Sequence, residues 1–254
     1  MTEKKTTIDN YNVIEYEKTN IYVIENIIDD NLCDILRNLI ETLPLIKTRY
    51  ENGNNVECYK TILGELLELD DSLYYEFSTS EGEYNLLLNK INNKKSIYTN
   101  KLNGILKTEI FKIIRLIDDK IILLESIMKR INDRIRFTFN SGLILRKIFG
   151  PTRLHYDGIN DNQSREILKY ITETMTINMN SVLIRTSTAI FTLNDDYEGG
   201  LFQMPDYDFS IKLKKGSVII FPPFWTHTHQ ATDMLNNTFR YTLTTWFCEK
   251  MEEI

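Results

Sequence analysis

Hydrophobic and polar positions follow different periods in the two halves of the chain. Up to residue 134, apolar residues recur at intervals of three and four, which is the spacing of one face of an α-helix. The clearest stripe, Leu32–Leu43, follows three possible helix caps, Asp29, Asp30 and Asn31, and Pro44 ends it. The same spacing predicts two further helices over residues 61–77 and 83–132, the second with a break near Asn92–Asn93 or Asn103–Gly104. A short strand is predicted at Ile21–Ile24 and a polar loop at residues 48–60.

From residue 135 onward, short β-branched and aromatic runs alternate with Gly, Pro, Asn and Asp turn signals. The predicted strands are 135–139, 143–148, 182–193, 201–204, 210–212, 217–221 and 240–247. Residues 160–180 interrupt this series as a partly helical insertion. Many short strands at this spacing favour a sandwich or a jelly roll with helices packed outside it, an α+β fold. We therefore expect a helical flanking region at 1–134 packed on a β core at 135–254, in one compact domain.

Composition narrows the classes of partner and location. A net charge of −6 disfavours a nucleic-acid partner, because phosphate binding needs an excess of Lys and Arg. No apolar run approaches the roughly 18 residues of a membrane-spanning helix, so no membrane partner is expected. The three cysteines, Cys33, Cys58 and Cys248, are far apart and favour a reducing compartment, which predicts a cytoplasmic protein.

All three histidines of the chain lie in the β half, in two short motifs. In the first motif, His155 and Asp157 are two residues apart, so on an extended segment both side chains point the same way. An imidazole and a carboxylate presented to one point can hold a metal ion if a third ligand joins them. Two His and one carboxylate bind iron(II) on one face and leave positions open for O₂ and a cosubstrate. The alternative is a local hydrogen-bonded pair without metal.

The second motif, residues 221–229, contains His227 and His229, which also share a strand face. One of them can be the third ligand and the other a neighbour that supports it. Spacing alone leaves this choice open, and a pair of buried histidines packed near Trp225 is the alternative.

Further along, Arg240 and Thr242 alternate onto one face of a predicted strand. A guanidinium inside a β barrel is costly unless it meets an anion, and a carboxylate matches its two-pronged geometry. A salt bridge at the rim is the alternative role for Arg240.

Together these motifs resemble the iron(II)- and 2-oxoglutarate-dependent oxygenases, in their prolyl-4-hydroxylase-like branch. The resemblance covers residues 143–247, and IYVIENIIDDNLCDILRNLIETL (21–43) is similar to the opening of that branch. The matching segments are LRKIFGPTRLHYDG (145–158), LNDDYEGGLFQMP (193–205), KKGSVIIFPPFWTHTH (214–229) and RYTLTTWF (240–247).

The resemblance implies a double-stranded β-helix, a distorted jelly roll, with flanking N-terminal helices. It implies iron(II) at His155, Asp157 and one later histidine. His229 precedes Arg240 by 11 residues and His227 precedes it by 13, and the shorter spacing is nearer to the family pattern, so His229 is expected. Arg240 is expected to bind the distal carboxylate of 2-oxoglutarate, with Thr242 assisting.

The activity implied by the resemblance is hydroxylation of a substrate by O₂, coupled to decarboxylation of 2-oxoglutarate to succinate and CO₂. A prolyl residue of a peptide or protein is the nearest substrate class, and ascorbate is an accompanying cofactor of such enzymes. A cupin-like metal-binding jelly roll without 2-oxoglutarate chemistry is the second hypothesis, and Arg240 discriminates against it. A β-sandwich interaction module without metal is the third. The segments 159–181 and 48–60 are expected to form the rim that recognises the substrate.

Overall fold

The computed structural model describes residues 1–42, 46–48, 58–62, 104–135, 137, 139–140, 143–158 and 183–250. The described residues exclude residues 63–77 of the helix expected at 61–77, the first part of the helix expected at 83–132 and the insertion at 160–180. They also exclude the rim segment at 159–181 and residues 49–57 of the rim segment at 48–60.

Two antiparallel sheets form the framework. The larger one, called the major sheet, has the strand order β1 (Glu3–Ile8), β2 (Tyr11–Tyr16), β3 (Ile21–Ile24), β13 (Val218–Phe221), β9 (Leu183–Thr192), β16 (Arg240–Lys250), β7 (Ile144–Ile148), β5 (Cys58–Ile62) and β4 (Ile46–Thr48), with β6 (Phe139–Asn140) also pairing with β16. The smaller one, called the minor sheet, has the order β12 (Phe209–Ile211), β11 (Phe202–Met204), β14 (His229–Ala231) and β8 (Thr152–His155). A short ladder joins β10 (Glu198–Gly199) to β15 (Met234–Leu235).

Within the described residues, two helices cover the outer face of the major sheet: α1 (Asp30–Thr42) and α2 (Gly104–Ile131). Of the three possible caps, Asp29 caps α1, because its Oδ1 accepts the backbone N–H of Leu32 at 2.9 Å. The apolar stripes of both helices pack on outward-facing strand residues such as Phe191 and Leu243, which are fully buried. Helix packing on this face therefore forms the first of two hydrophobic cores.

The second core lies between the two sheets. Ile219 and Phe221 of the major sheet meet Phe202, Met204 and Phe209 of the minor sheet there. Side chains alternate along a strand, so the β9 partners of Ile219 and Phe221, which are Ile190 and Thr188, lie on this inner face. Their own partners on β16, Thr244 and Trp246, lie on it as well. Two facing antiparallel sheets with helices outside confirm the predicted α+β jelly roll.

Several element predictions were incomplete. The hairpin β1–β2 was missed because its first strand is exposed and polar and shows no hydrophobic alternation. Its two-residue turn, Asp9–Asn10, has positive φ at both positions, which is the geometry of a tight hairpin turn. Residues 58–60, expected in a loop, are the start of β5, and residues 61–62, expected in a helix, are its end. Of the run predicted at 135–139, only residue 139 lies in a described strand, β6. Among the described residues, no helix combines the length and low polarity that a bilayer-spanning segment requires.

Candidate metal centre

The pairing of β8 with β14 brings the two histidine motifs together. His155 and His229 are direct cross-strand partners, so their side chains lie side by side on the minor sheet, with ring centroids 4.3 Å apart. Asp157 follows β8 and turns its carboxylate toward both rings. His155 Nε2 lies 3.6 Å from Asp157 Oδ1, and His229 Nε2 lies 3.7 Å from Asp157 Oδ2. One ligand atom from each of the three residues thus lies within 4.8 Å of the others.

Backbone carbonyls fix the orientation of the two imidazoles. His155 Nδ1 lies 2.7 Å from the carbonyl of Arg153, and His229 Nδ1 lies 3.1 Å from the carbonyl of His227. A carbonyl only accepts, so we assign the ring proton to Nδ1 in both residues. Each neutral imidazole then offers the lone pair of Nε2 to the central point, as a metal ligand must.

His227 has the opposite arrangement. Its Nε2 lies 2.7 Å from the carbonyl of Thr19, and its Nδ1 lies 2.9 Å from the hydroxyl of Thr226. Both ring nitrogens therefore have partners outside the cluster of His155, Asp157 and His229. The side chain instead ties the turn before β3 to the segment that leads into β14. The structure thus brings His229, and not His227, together with His155 and Asp157.

The surroundings of Asp157 hold its carboxylate in the ionised form. Thr188 on β9 donates its hydroxyl to Asp157 Oδ2 at 2.8 Å, and Arg185 donates from Nη1 to the Asp157 carbonyl at 2.7 Å. Burial on its own would raise the pKa of Asp157, but His229, His155 and Arg185 hold that pKa well below its usual range. A carboxylate is therefore present for a cation at neutral pH.

His229 is enclosed by aromatic rings. Its imidazole stacks on Phe202 at 5.4 Å and meets Phe221 edge-on at 4.8 Å, measured between ring centroids. Burial lowers the pKa of His229 to about 4, because the charged form loses its hydration. The ring is consequently neutral, and competent to bind a metal, over the physiological pH range.

Gly158 allows the chain to leave the cluster close to a neighbouring loop. Its N–H donates to the Pro223 carbonyl at 2.5 Å, and a Cβ at this position would meet the same oxygen at 2.8 Å. A side chain at this position would therefore disturb a close approach between two backbone segments. This approach fixes the loop that carries Phe224 and Trp225 beside Asp157.

Arg240 and Thr242 both lie on the inner face of the jelly roll and are buried, as predicted. Arg240 Nη1 donates to the Gly200 carbonyl at 2.8 Å, and its side chain also hydrogen-bonds Tyr197. The inner strip of β16 then runs from Arg240 through Thr242 and Thr244 to Trp246 at the metal end. The structure brings Arg240 to the interior that the metal cluster faces, but in contact with Gly200 and Tyr197 and not with the cluster itself.

Arg185 and Thr188 were missed by the sequence analysis. A β-bulge at Thr186 causes Ser187 to pair with Phe247 but Arg185 to pair with Cys248. The extra residue turns Arg185 from the outer face to the inner face, where its guanidinium lies 4.0 Å from the centroid of the Trp246 ring. The sequence did contain a signal for them, because a charged residue and alternating threonines are unusual in a predicted core strand such as 182–193.

Residues 150–248 match the family model of the 2OG-Fe(II) oxygenase superfamily. The chain carries a 2OG-Fe(II) oxygenase domain. It is a 2-oxoglutarate-dependent dioxygenase, with iron(II) as metal and 2-oxoglutarate and O₂ as cosubstrates. This family match favours the oxygenase over the cupin-like alternative. The donor set of two neutral imidazoles and one carboxylate fits iron(II).

Two similar solved structures share little sequence with this chain. A viral collagen prolyl hydroxylase from Paramecium bursaria Chlorella virus-1, in complex with 2-oxoglutarate, is 15% identical with a TM-score of 0.50, over 91% of this chain and 97% of that one. A Pseudomonas putida prolyl-4-hydroxylase is 11% identical with a TM-score of 0.48, over 92% of this chain and 95% of that one. A comparison of the oxygenase sequence with curated proteins gives no match.

Proposed function

We propose that His155, Asp157 and His229 hold the iron(II), that Arg240 and Thr242 bind the distal carboxylate of 2-oxoglutarate, and that the substrate is a prolyl residue of a peptide or protein. The observation that carries the metal assignment is the convergence of three ligand atoms within 4.8 Å, with both imidazoles oriented by backbone carbonyls. Ligands about 2.1 Å from a shared ion at right angles would lie about 3 Å apart. The separations of 3.6 and 3.7 Å to Asp157 are wider by less than an ångström, so small side-chain rotations close the site.

When bound, iron(II) supplies the activation of O₂ that is coupled to decarboxylation of 2-oxoglutarate. The residues of this chain bind, orient and shield. Thr188 fixes one oxygen of Asp157, and Phe202 and Phe221 keep water from His229. At the other end of the inner strip, Arg240 offers a buried cation for the second carboxylate of 2-oxoglutarate, with the Thr242 hydroxyl beside it.

The metal assignment is tested by adding iron(II) and then 2-oxoglutarate to the anaerobic protein. The expected results are a visible charge-transfer absorption that needs both additions, and succinate formation once O₂ enters. A protein with Asp157→Ala should give neither. Full succinate formation by that variant would remove Asp157 from the ligand set.

The prolyl assignment is supported by the fold shared with a collagen prolyl hydroxylase and by the aromatic rim of the site. Phe224 is 46% exposed and Trp225 is 74% exposed, on the loop that Gly158 ties to the Asp157 end of β8. Exposed aromatic rings are the surface on which proline-rich extended segments pack. A peptide lying across this loop would bring a prolyl ring toward the metal.

A proline-rich peptide and a matched peptide with alanine at the prolines test this assignment. The expected result is that only the first peptide stimulates succinate formation and gains the mass of one oxygen atom, with 2-oxoglutarate present. Equal stimulation by both peptides, or oxygen added to another residue type, would assign a different substrate class.

The remaining proposals concern context. Ascorbate is proposed as the accompanying reductant, by family resemblance. The free, buried Cys33 and Cys248 and the net charge of −6 fit a cytoplasmic protein that does not bind nucleic acid. Residues 1–134 are proposed to flank the 135–254 core within one domain, with β1–β3 as well as helices in the flank.

A further inference from the structure

A cavity of about 280 Å³ lies on the outer face of the major sheet, walled by the turn before β3, the segment after α2, the bulge of β9 and the end of β13. Ser187, in its wall, pairs with Phe247 of the core under the helices, so the Ser187 side chain is on the outer face. Phe221, also in the wall, pairs with Thr188, whose hydroxyl binds Asp157 on the inner face. The thickness of the sheet therefore separates this cavity from the metal cluster.

Three polar side chains that line the cavity have no hydrogen-bond or ion-pair partner among the described residues: Asn20, Arg134 and Ser187. Ser187 is only 4% exposed, so bulk water hardly reaches its hydroxyl. Nearby at the end of α2, Arg130 is in a different situation, because it forms an ion pair with Asp9 at 2.6 Å. Buried polar groups without partners are rare in native proteins, and they mark a place where a ligand or bound water belongs.

The chemistry of the wall defines what can fill the cavity. A guanidinium only donates hydrogen bonds, so the partner of Arg134 must offer acceptor oxygens. No Asp or Glu is among the residues that line the cavity, so the protein wall supplies no counter-ion for Arg134. A carboxylate matches the two-pronged geometry of a guanidinium.

The remainder of the wall is apolar and includes Ile135, Ile220 and Pro222. Burying an apolar group against these side chains is favourable, so an anion with an apolar body fits better than an inorganic ion. The negative pole at the end of α2 opposes an anion, but two basic residues in the last turn of the helix offset it.

We infer that this cavity is a binding site for a small organic carboxylate, distinct from the sites proposed for iron(II) and 2-oxoglutarate. The carboxylate meets Arg134, Asn20 and Ser187, and the apolar body lies on Ile135 and Ile220. Ligand pockets usually measure roughly 300–1,000 Å³, so a cavity of about 280 Å³ takes a molecule with a single ring or a short chain.

Two small probes that differ in one group test the site. Benzoate has a carboxylate on an apolar ring, and benzamide has a neutral amide in the same place. Each is titrated calorimetrically into the full-length protein at low salt, without added metal or 2-oxoglutarate. We expect benzoate to bind at least about tenfold more tightly than benzamide, as a charge-assisted contact with Arg134 implies. Inorganic phosphate, the third probe, should bind more weakly than benzoate because it lacks an apolar body.

Four variants locate the preference for benzoate. Arg134→Gln should remove it, and Ser187→Ala should weaken benzoate binding about threefold to tenfold, the usual effect of losing one hydrogen bond. Arg130→Gln is the matched control, because Arg130 is also a basic residue near the end of α2 but already has Asp9 as its partner. Arg240→Ala separates this cavity from the proposed 2-oxoglutarate pocket. Both of these variants should leave the benzoate affinity unchanged, and circular dichroism of each variant checks folding.

Four results would overturn the inference. The first is that benzoate binds the wild-type protein no better than benzamide, including the case in which neither binds. The second is a preference that survives Arg134→Gln. The third is a loss of benzoate affinity in Arg240→Ala as large as that in Arg134→Gln, which would assign the probe to the cosubstrate pocket. The fourth is that phosphate binds as tightly as benzoate, which would rule out an organic ligand as the class. None of these measurements depends on turnover, so they are independent of the proposed dioxygenase chemistry.

Discussion

His227 and His229 are two residues apart, yet they hold their protons on opposite ring nitrogens. His229 faces the carbonyl of His227 through Nδ1, whereas His227 faces the carbonyl of Thr19 through Nε2. The His227 ring thereby anchors the backbone whose carbonyl orients His229. Supporting contacts of this kind typically change metal affinity by about 10- to 100-fold when they are removed.

The two histidines should therefore respond differently to substitution. His229→Ala should abolish iron(II) binding, as should His155→Ala, because each removes a ligand. His227→Phe should weaken binding by roughly tenfold without abolishing it, and His227→Gln, whose amide can still donate to Thr19, should restore part of the affinity. Anaerobic calorimetric titration with iron(II) measures this. Metal binding that survives His229→Ala but is lost in both His227 variants would reverse the assignment.

Arg240 gives a second prediction at this scale. Arg240→Ala should lower the affinity for 2-oxoglutarate at least about tenfold, since a charge-assisted contact of roughly 1.5–3 kcal/mol is lost. Iron(II) binding should change little, because Arg240 contacts Gly200 and Tyr197 and not the metal cluster. Titration of the iron-loaded protein with 2-oxoglutarate measures it. Unchanged affinity would make Arg240 a structural residue.

The sequence predicted those residues whose roles depend on local spacing. His155 and Asp157 share a strand face by simple alternation, and the same rule placed Arg240 and Thr242 on the inner face. Thr188 and Arg185 could not be predicted in the same way. Their proximity to Asp157 depends on the packing of two sheets and on a one-residue bulge, and neither is encoded by the spacing within a single segment.

At the scale of single elements, the start of α1 shows how a cap joins two helices. Asp29 accepts the Leu32 N–H at 2.9 Å and lies 3.2 Å from Lys120 Nζ on α2. The backbone hydrogen bond from Leu32, with Lys120 nearby, holds the pKa of Asp29 below its ordinary value. The stabilisation by the charged form is therefore present above the ordinary pKa of an aspartate and is lost as the pH falls through the lowered value.

Asp29→Ala should lower the free energy of unfolding by about 1 kcal/mol at neutral pH, the usual cost of losing a cap. The difference from wild type should shrink in acid. Asp29→Asn is the matched control, because asparagine caps equally well but has no charge to titrate, so its stability should be nearer to wild type. Urea unfolding at several pH values measures both variants. Equal loss in the two variants would mean that charge, rather than capping, dominates.

Helices and strands were predicted with unequal success for a physical reason. The apolar stripe of α1 and the continuous apolar strand β13 are buried, so the hydrophobic pattern of the sequence predicts both. The exposed strand β1 and the short strand β8 have no such pattern, and pairing with a neighbour stabilises them instead. Hydrophobic periodicity predicts buried elements. It does not predict a strand that is stabilised mainly by backbone hydrogen bonds to a neighbouring strand.

At the scale of the whole molecule, the many short strands separated by turns predicted a jelly roll, and the family resemblance predicted its double-stranded β-helix topology. The sequence did not predict that N-terminal strands join the major sheet. Residues 22–24 pair with residues 218–220, so a segment assigned to the flank completes the sheet of the core. A variant that lacks residues 1–24 should expose the backbone edge of β13 and aggregate, as light scattering would show. A monomeric, stable truncation would mean that the edge is protected in another way.

The same pairing has a consequence for how the chain reaches its folded state. β3 and β13 are separated by roughly 200 residues in sequence but are adjacent in the sheet. Contacts between such distant segments require closure of a long loop before they stabilise anything, which slows folding. During synthesis, β3 leaves the ribosome long before β13 exists, so the N-terminal hairpin must remain without its partner until β13 has been made. The nascent chain of this oxygenase should therefore depend on chaperones that shield unpaired strands.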